Sequence, residues 1–369
     1  MIRLESITKR FPDGRVAVDN LDLEVDEGDV CMLVGPSGCG KTTTLKMINR
    51  LVEPSSGRIY LDGDDVTTVD PVGLRRRIGY VIQQVGLFPH QNVAANVATV
   101  PRLVGWDRQR AKARVDELLQ LVGLDPAQFR DRYPHQLSGG QRQRVGVARA
   151  LAVDPPVLLM DEPFGAIDPI SRDRIHQEFL RLQGEVKKTV VFVTHDINEA
   201  VRLGTRIAIL RQGGVLEQYA SAAEVLGRPA SPFVADFVGS DRGVKRLSVM
   251  AVDVAHLATL PVVEPGAGLA DARHAIDDAG GVWAVVVDVD GRLVGALSRR
   301  AANGDGSVRE RSVEVPATVE AGATLKDAFS QLLLHDAGWV AVVDDGRFCG
   351  ILTPDSLYAA IRDSLADDP

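Results

Sequence analysis

Apolar and polar positions alternate over residues 17–25, the two-residue period of a strand with one buried face. Five apolar residues then run without a break from 30 to 34, as a strand buried on both faces requires, and the run ends in glycine. Further short apolar runs at 78–82, 157–160 and 190–193 are separated by stretches of helical period such as 107–121, with Asp107 placed to cap it. This alternation predicts an α/β fold whose largely parallel sheet is covered by helices.

The last third changes character and contains a repeat. Val263-Glu264-Pro265-Gly266-Ala267-Gly268-Leu269 returns 56 positions later as Val319-Glu320-Ala321-Gly322-Ala323-Thr324-Leu325, and Trp283 returns as Trp339. After a one-residue deletion, Gly291-Arg292 and Gly295 match Gly346-Arg347 and Gly350. Each copy reads as helix, strand, Asp/Gly turn, strand. Two copies are too few for a solenoid and predict one pseudo-symmetric α+β domain, over about 261–302 and 313–365, joined to the first 240 residues by a connector at 241–260. Residues 303–307 read as a loop between the copies.

Charge supports this division. The chain of 369 residues has a formal net charge of -8, but residues 1–240 carry 30 basic and 30 acidic groups, so the whole excess falls in the last third. An acidic domain is a poor surface for nucleic acid, which needs clustered Lys and Arg. No stretch reaches the roughly 18 apolar residues of a membrane helix, and the N-terminus lacks the basic start and apolar run of a signal peptide. Three cysteines without paired spacing argue against a disulfide framework or a structural zinc site.

Candidate chemistry lies in the first 240 residues. Gly35-Pro36-Ser37-Gly38-Cys39-Gly40-Lys41-Thr42, followed by Thr43, stands after the buried strand and opens a helix, the context of a phosphate-binding loop. Small residues let the backbone wrap a polyphosphate, Lys41 reaches its outer phosphates and the Thr42 hydroxyl can ligate Mg²⁺. Cys39 inside that loop predicts a thiol that bound ATP shields from maleimide. The strand at 157–160 ends in Asp161-Glu162, where one carboxylate can hold a metal hydration shell and the other can polarise an attacking water. Ser138-Gly139-Gly140-Gln141 reads as a capped helix start with free amides; one nucleotide site hardly needs a second such element, unless it serves another copy. Phe11 is open to two readings, core packing or ring stacking.

Taken in this order with His195, these motifs resemble the ATPase subunit of ABC transporters over roughly the first 240 residues. The resemblance implies a P-loop NTPase domain with a RecA-like core and a helical subdomain, using ATP and Mg²⁺, assembled as a head-to-tail homodimer. It implies Glu162 as general base, Gln83 as the link between Mg²⁺ and the membrane partner, Asp161 with Thr42 at the metal, His195 at the γ-phosphate and Phe11 on adenine. Ser138 to Gln141 and Asp168 would then face the ATP of the partner subunit. Gln83-Gln84-Val85-Gly86-Leu87-Phe88-Pro89-His90 and Phe164-Gly165-Ala166-Ile167-Asp168-Pro169 look like importers of quaternary amine osmoprotectants such as glycine betaine, proline betaine, carnitine and choline. The repeat is similar to a CBS-domain pair, regulatory or dimerising, in which Thr353 and Asp355 would contact an adenine nucleotide such as cyclic di-AMP. The first copy has Ala301 in place of the acidic residue. The implied partners are transmembrane permease subunits and a solute-binding protein or domain, not nucleic acid, with the chain peripheral on the cytoplasmic face of the membrane. Two alternatives stay open: an importer ATPase for another small solute, and a soluble ABC ATPase outside transport.

Overall fold

In the computed structural model, which describes residues 2–82, 86–165, 169–336 and 338–366, the apolar runs at 30–34, 157–160 and 190–193 lie inside a six-stranded sheet and the run at 78–82 lies on its edge. Gln83 and Asp168 lie outside the described residues. The first of two units, residues 1–240, contains β1 (Ile2–Arg10), β2 (Val16–Val25), β3 (Val30–Val34), β4 (Ser56–Leu61), β5 (Asp64–Asp65), β6 (Ile78–Val81), β7 (Val157–Asp161), β8 (Thr189–Val193), β9 (Arg206–Arg211) and β10 (Val215–Ala220).

The order of the larger sheet is β10-β9-β3-β8-β7-β6. All its neighbours run parallel except β10, which pairs antiparallel with β9. Every residue of β3, β7 and β8 is buried, which is why these strands read as continuous apolar runs rather than alternations. A second, antiparallel sheet of order β2-β1-β4-β5 was not anticipated from the sequence. Its Ile2, Leu4 and Ile7 share one core with Leu33 of β3 and with Leu45 and Ile48 of the helix Lys41–Ile48. The loop before that helix is thereby anchored on both sides. In the helical part, Asp107 caps Arg108–Leu121 by accepting from the Arg110 amide, as the sequence predicts.

The second unit, residues 241–369, holds β11 (Val262–Val263), β12 (Trp283–Val287), β13 (Leu293–Ser298), β14 (Thr318–Glu320), β15 (Val340–Asp344) and β16 (Arg347–Leu352) in two three-stranded sheets. Each copy has the expected helix, strand, turn and strand, preceded by a short parallel strand, β11 or β14. The copies complete one another. Ala258, ahead of the first copy, bridges Ile351 in the second, and Val313, ahead of the second, bridges Ala296 in the first. The two turns also meet, with Leu293 donating to the Gly346 carbonyl and Phe348 to that of Gly291. Trp283 and Trp339 face each other edge to face at 6.3 Å. The close approach of the bridging segments explains the repeated glycines: a Cβ on Gly295 would lie 2.7 Å from the Val313 oxygen, and one on Gly350 2.8 Å from Leu257 Cβ.

Two boundaries depart from expectation. The stretch 241–260 is not a bare connector: Leu247 and Val252 are buried in the core of the second copy, and the Val252 and Ala323 backbones hydrogen-bond at 2.8 Å. Its apolar residues are interspersed with Asp, Ser and Gly, so they show no periodicity until the helix they cover is known. The first copy extends past 302, because Val308 closes its core against Leu269 and Ile276.

Candidate active site

The phosphate-type loop leaves β3 and enters the helix Lys41–Ile48 through Gly40, whose φ of 100° is left-handed. A Cβ at Gly40 would stand 2.2 Å from the Ala17 oxygen, and one at Gly35 2.1 Å from the Leu210 oxygen. Both glycines are therefore required by close backbone neighbours, independently of any ligand. Lys41 is 6% exposed, and its ammonium donates to the Gly35 carbonyl at 2.7 Å and to that of Pro36 at 3.1 Å. The loop and the start of the helix, through Thr43, line a cleft of about 350 Å³ together with Phe11, Arg15 and Glu162.

Phe11 is half-buried at this cleft, not a core residue. Its amide donates to the Arg15 carbonyl, and that turn lays the Arg15 guanidinium 5.0 Å from the ring centroid. Arg15 and Gln212 are cleft residues that the sequence reading missed. Gln212, just past β9, donates to the Ser37 carbonyl at 3.1 Å and tethers the loop from the far side of the sheet edge. Arg15 lies four residues after an aromatic, a signal visible in the sequence; Gln212 has none. Cys39 corrects an expectation. The residue borders the cleft, but its side chain is buried in the core beneath the loop, so burial by the protein rather than by nucleotide is expected to limit maleimide labelling.

At the end of β7, Asp161 is 8% exposed and accepts a hydrogen bond from the Thr42 hydroxyl at 2.9 Å. Glu162 follows with a left-handed φ of 41°, its amide bonded to the Val193 carbonyl. This sparsely populated backbone state turns the chain off the strand and separates the two carboxylates. Glu162 Oε2 lies 3.3 Å from Nδ1 of His195, which stands just past β8 with 60% of its side chain exposed. Adjacent parallel strands thus bring together the loop, both carboxylates and the histidine. Ser138 caps the helix Gly139–Ala150 in a reciprocal box with Gln141: the Ser138 hydroxyl accepts from the Gln141 amide and the Gln141 side chain from the Ser138 amide. Ser138 to Gln141 are not among the residues lining the cleft.

Thr42 and Asp161 are hard oxygen donors side by side, a pairing that fits Mg²⁺, which usually takes one or two carboxylates and keeps several waters. Burial raises the Asp161 carboxyl above the ordinary aspartate range and the neighbouring Glu162 charge adds to the rise, while the Thr42 hydroxyl, Lys46 and Lys41 pull it back. A raised folded-state value means that the folded chain holds the proton more tightly than the unfolded one, so ionised Asp161 opposes folding above that value. Asp161→Asn should therefore melt higher than wild type at pH 8 in metal-free buffer. The gap should close as the pH falls below the ordinary aspartate value, where both side chains are neutral. A wild-type Tm equal to or above that of the variant at pH 8 would contradict this electrostatic picture.

In the second unit, Thr353 is half-buried and its hydroxyl accepts from the Ser356 amide at 3.1 Å, capping the helix Pro354–Ala366, while Asp355 is exposed in its first turn. The first copy carries a different feature. Arg273, Arg299 and Arg300 line an open concavity with Trp283, Ser298 and Asn303. Arg299 is held by Asp277 at 2.5 Å, and Arg273 by Asn303. The matching positions of the second copy are Phe329, Pro354 and Asp355, so Arg300, and not Ala301 as expected, stands opposite the acidic residue, and the cationic concavity has no counterpart there.

Comparison with known proteins agrees with this geometry. A family model described as ABC transporter matches residues 18–165, and one described as CBS domain matches 309–363. The osmoprotectant import ATP-binding protein OsmV of Salmonella typhimurium is 48% identical over 96% of this chain and 94% of its own length. The glycine betaine/carnitine/choline transport ATP-binding protein OpuCA of Bacillus subtilis is 43% identical over 100% and 98%. Among solved structures, dimeric MJ0796, a bacterial ABC transporter cassette, is similar with a TM-score of 0.55 and 38% identity over 60% of this chain and 99% of its own. A post-hydrolysis dimer of the same cassette with ADP and Pi bound gives 0.54 and 37% over the same shares. A P-loop ATPase core with both carboxylates in place, matched along nearly the whole chain, places this protein in the family of ATP-binding subunits of ABC osmoprotectant importers, with a CBS domain at residues 309–363.

Proposed function

We propose that this ATPase energises uptake of quaternary amine solutes of the glycine betaine, carnitine and choline type. The observation that carries the catalytic part is the Thr42–Asp161 hydrogen bond beside the Glu162–His195 pair, in the cleft that also presents Phe11. In this reading ATP lies on Gly35 to Thr43 with adenine on Phe11. Lys41 would hold its outer phosphates, and Thr42 and Asp161 are the oxygen donors that would hold Mg²⁺. Mg²⁺, when bound, neutralises charge on the phosphates. Glu162 takes the proton of the attacking water, and His195 bridges Glu162 and the γ-phosphate. Gln83 links the metal to the permease. Ser138 to Gln141 and Asp168 act on the ATP of the partner subunit; for Ser138 to Gln141 this accords with their absence from the chain's own cleft lining. The assembly is a head-to-tail homodimer on permease subunits at the cytoplasmic face, fed by a solute-binding protein or domain. No helix among the described residues is long and apolar enough to cross a membrane.

The solute class rests on the similarity to OsmV and OpuCA over almost the whole chain. For the CBS pair we infer a phosphate-bearing ligand, such as an adenine dinucleotide, seated on Arg273, Arg299 and Arg300 with Trp283 as the stacking face. Co-purification with the neighbouring permease subunits and uptake of radiolabelled glycine betaine into proteoliposomes tests both readings. ATP-dependent uptake that unlabelled carnitine or choline competes away is expected; uptake of an unrelated solute instead overturns the solute class. Arg299→Ala with Arg300→Ala should abolish any response to cyclic di-AMP and leave basal uptake intact. An unchanged response, or one lost only with Asp355→Ala, moves the ligand to the second copy.

A further inference from the structure

Outside the nucleotide cleft, two ionisable side chains are withdrawn from solvent together. His176, in the helix Pro169–Val186, and Glu199, in Ile197–Leu203, are each buried to 6% exposure and meet at 2.9 Å through Nε2 and Oε1. A buried carboxylate needs a hydrogen-bonding partner, and the imidazole supplies one from Nε2 when the ring is protonated or in its Nε2–H tautomer.

The partners tie together the two places where the reacting groups stand. Glu199 lies one helical turn beyond His195, on a helix capped by Asp196. The His176 ring packs 5.2 Å from Phe164, two residues beyond Glu162, in an aromatic cluster that includes Phe179 and Phe192. A small cavity bordered by Glu162, Phe164, His195 and Glu199 separates the buried pair from the exposed one. One imidazole is thus packed on the chain that carries Glu162 and bonded to the helix that follows His195.

We propose that His176 and Glu199 are positioning residues that hold His195 in register with Glu162 for ATP turnover. The inference rests on the assignment of His195 and Glu162 to hydrolysis. His176→Ala removes the donor and frees the helix after His195, whereas His176→Gln keeps an N–H donor for Glu199. A misplacement of about an ångström costs up to about 10²-fold in rate.

The test is steady-state ATPase kinetics of the full-length chain. His176→Ala should lower kcat about 10- to 100-fold with KM for ATP within about twofold, and His176→Gln should recover most of the loss. In a His195→Ala background the same substitution should change the residual rate less than about twofold, because the group it positions is gone. Should His176→Ala fail to fold, His176→Ala with Glu199→Ala removes the buried charge along with its partner, and the same loss of kcat is expected. Wild-type turnover in the folded variants, or an equal loss with and without His195, overturns the proposal. Wild-type turnover in His195→Ala itself overturns the underlying assignment instead.

Discussion

Glu162→Gln should lower ATP turnover at least ~10²-fold while ATP binding persists, the lower range for removing a positioned general base. The substitution keeps size and a hydrogen-bonding side chain beside His195, so the left-handed turn at 162 and the Val193 contact have no reason to move. Thr42 and Asp161, which lie on the other side of that turn, keep their hydrogen bond. What disappears is a group able to accept a proton from water. ATP should then remain uncleaved, and the proposed ATP-dependent dimer should become visible by gel filtration. Parallel measurement of phosphate release and nucleotide affinity checks the separation. Hydrolysis near wild type, or a loss of ATP binding that accounts for the whole rate change, would remove Glu162 from its role.

The second large effect is on stability. Gly40→Ala should cost at least about 3 kcal/mol, since a left-handed residue with a Cβ already costs roughly 1–2 kcal/mol and the added methyl must also displace backbone. Its Cβ would stand 2.2 Å from the Ala17 oxygen of β2, which has no freedom to retreat because its strand carries Val18 and Leu21 into the core. Gly38→Ala is the internal control. Gly38 also has a positive φ, 79°, but open space surrounds the new methyl, so only the backbone preference is lost, about 1–2 kcal/mol. Urea unfolding of the two variants should separate them by a clear margin. Equal midpoints would mean that the loop is not clamped between the two sheets.

Features written in contiguous residues were legible before any coordinates. The loop 35–42, the Ser138 cap and the Asp161-Glu162 strand end are local patterns whose chemistry depends on near neighbours. The repeat was legible because its copies share spacing. What escaped depends on pairs distant in sequence. His176 and Glu199 are each ordinary helix residues until two helices meet. Cys39 sits in a motif, yet which way its thiol points is decided by packing against the core, not by the motif. The antiparallel sheet escaped because β4 and β5 are short and only partly buried. The leading strands β11 and β14, of two and three residues, carry too little pattern to register, and the arginines of the first copy converge from a helix and a loop. Phe11 was ambiguous in sequence, and its exposure at the cleft resolves it against core packing.

The exchange of bridging segments between the two C-terminal copies also bears on how the protein is made. Residues 1–240 complete both of their sheets from within, so the ATPase unit can collapse on the ribosome while the last third is still being translated. The second unit closes only in part before its last strand appears. The segment around Ala258 waits for Ile351, and the sheet it borders stays unfinished until Arg347–Leu352 has emerged. Vectorial synthesis therefore separates the folding events in time: an ATPase already formed, tethered to a first copy that can close its own core by Val308 but lacks its bridges to the second copy until that copy has been delivered. Translational stalling between the copies would strand that segment as a chaperone substrate attached to a folded enzyme.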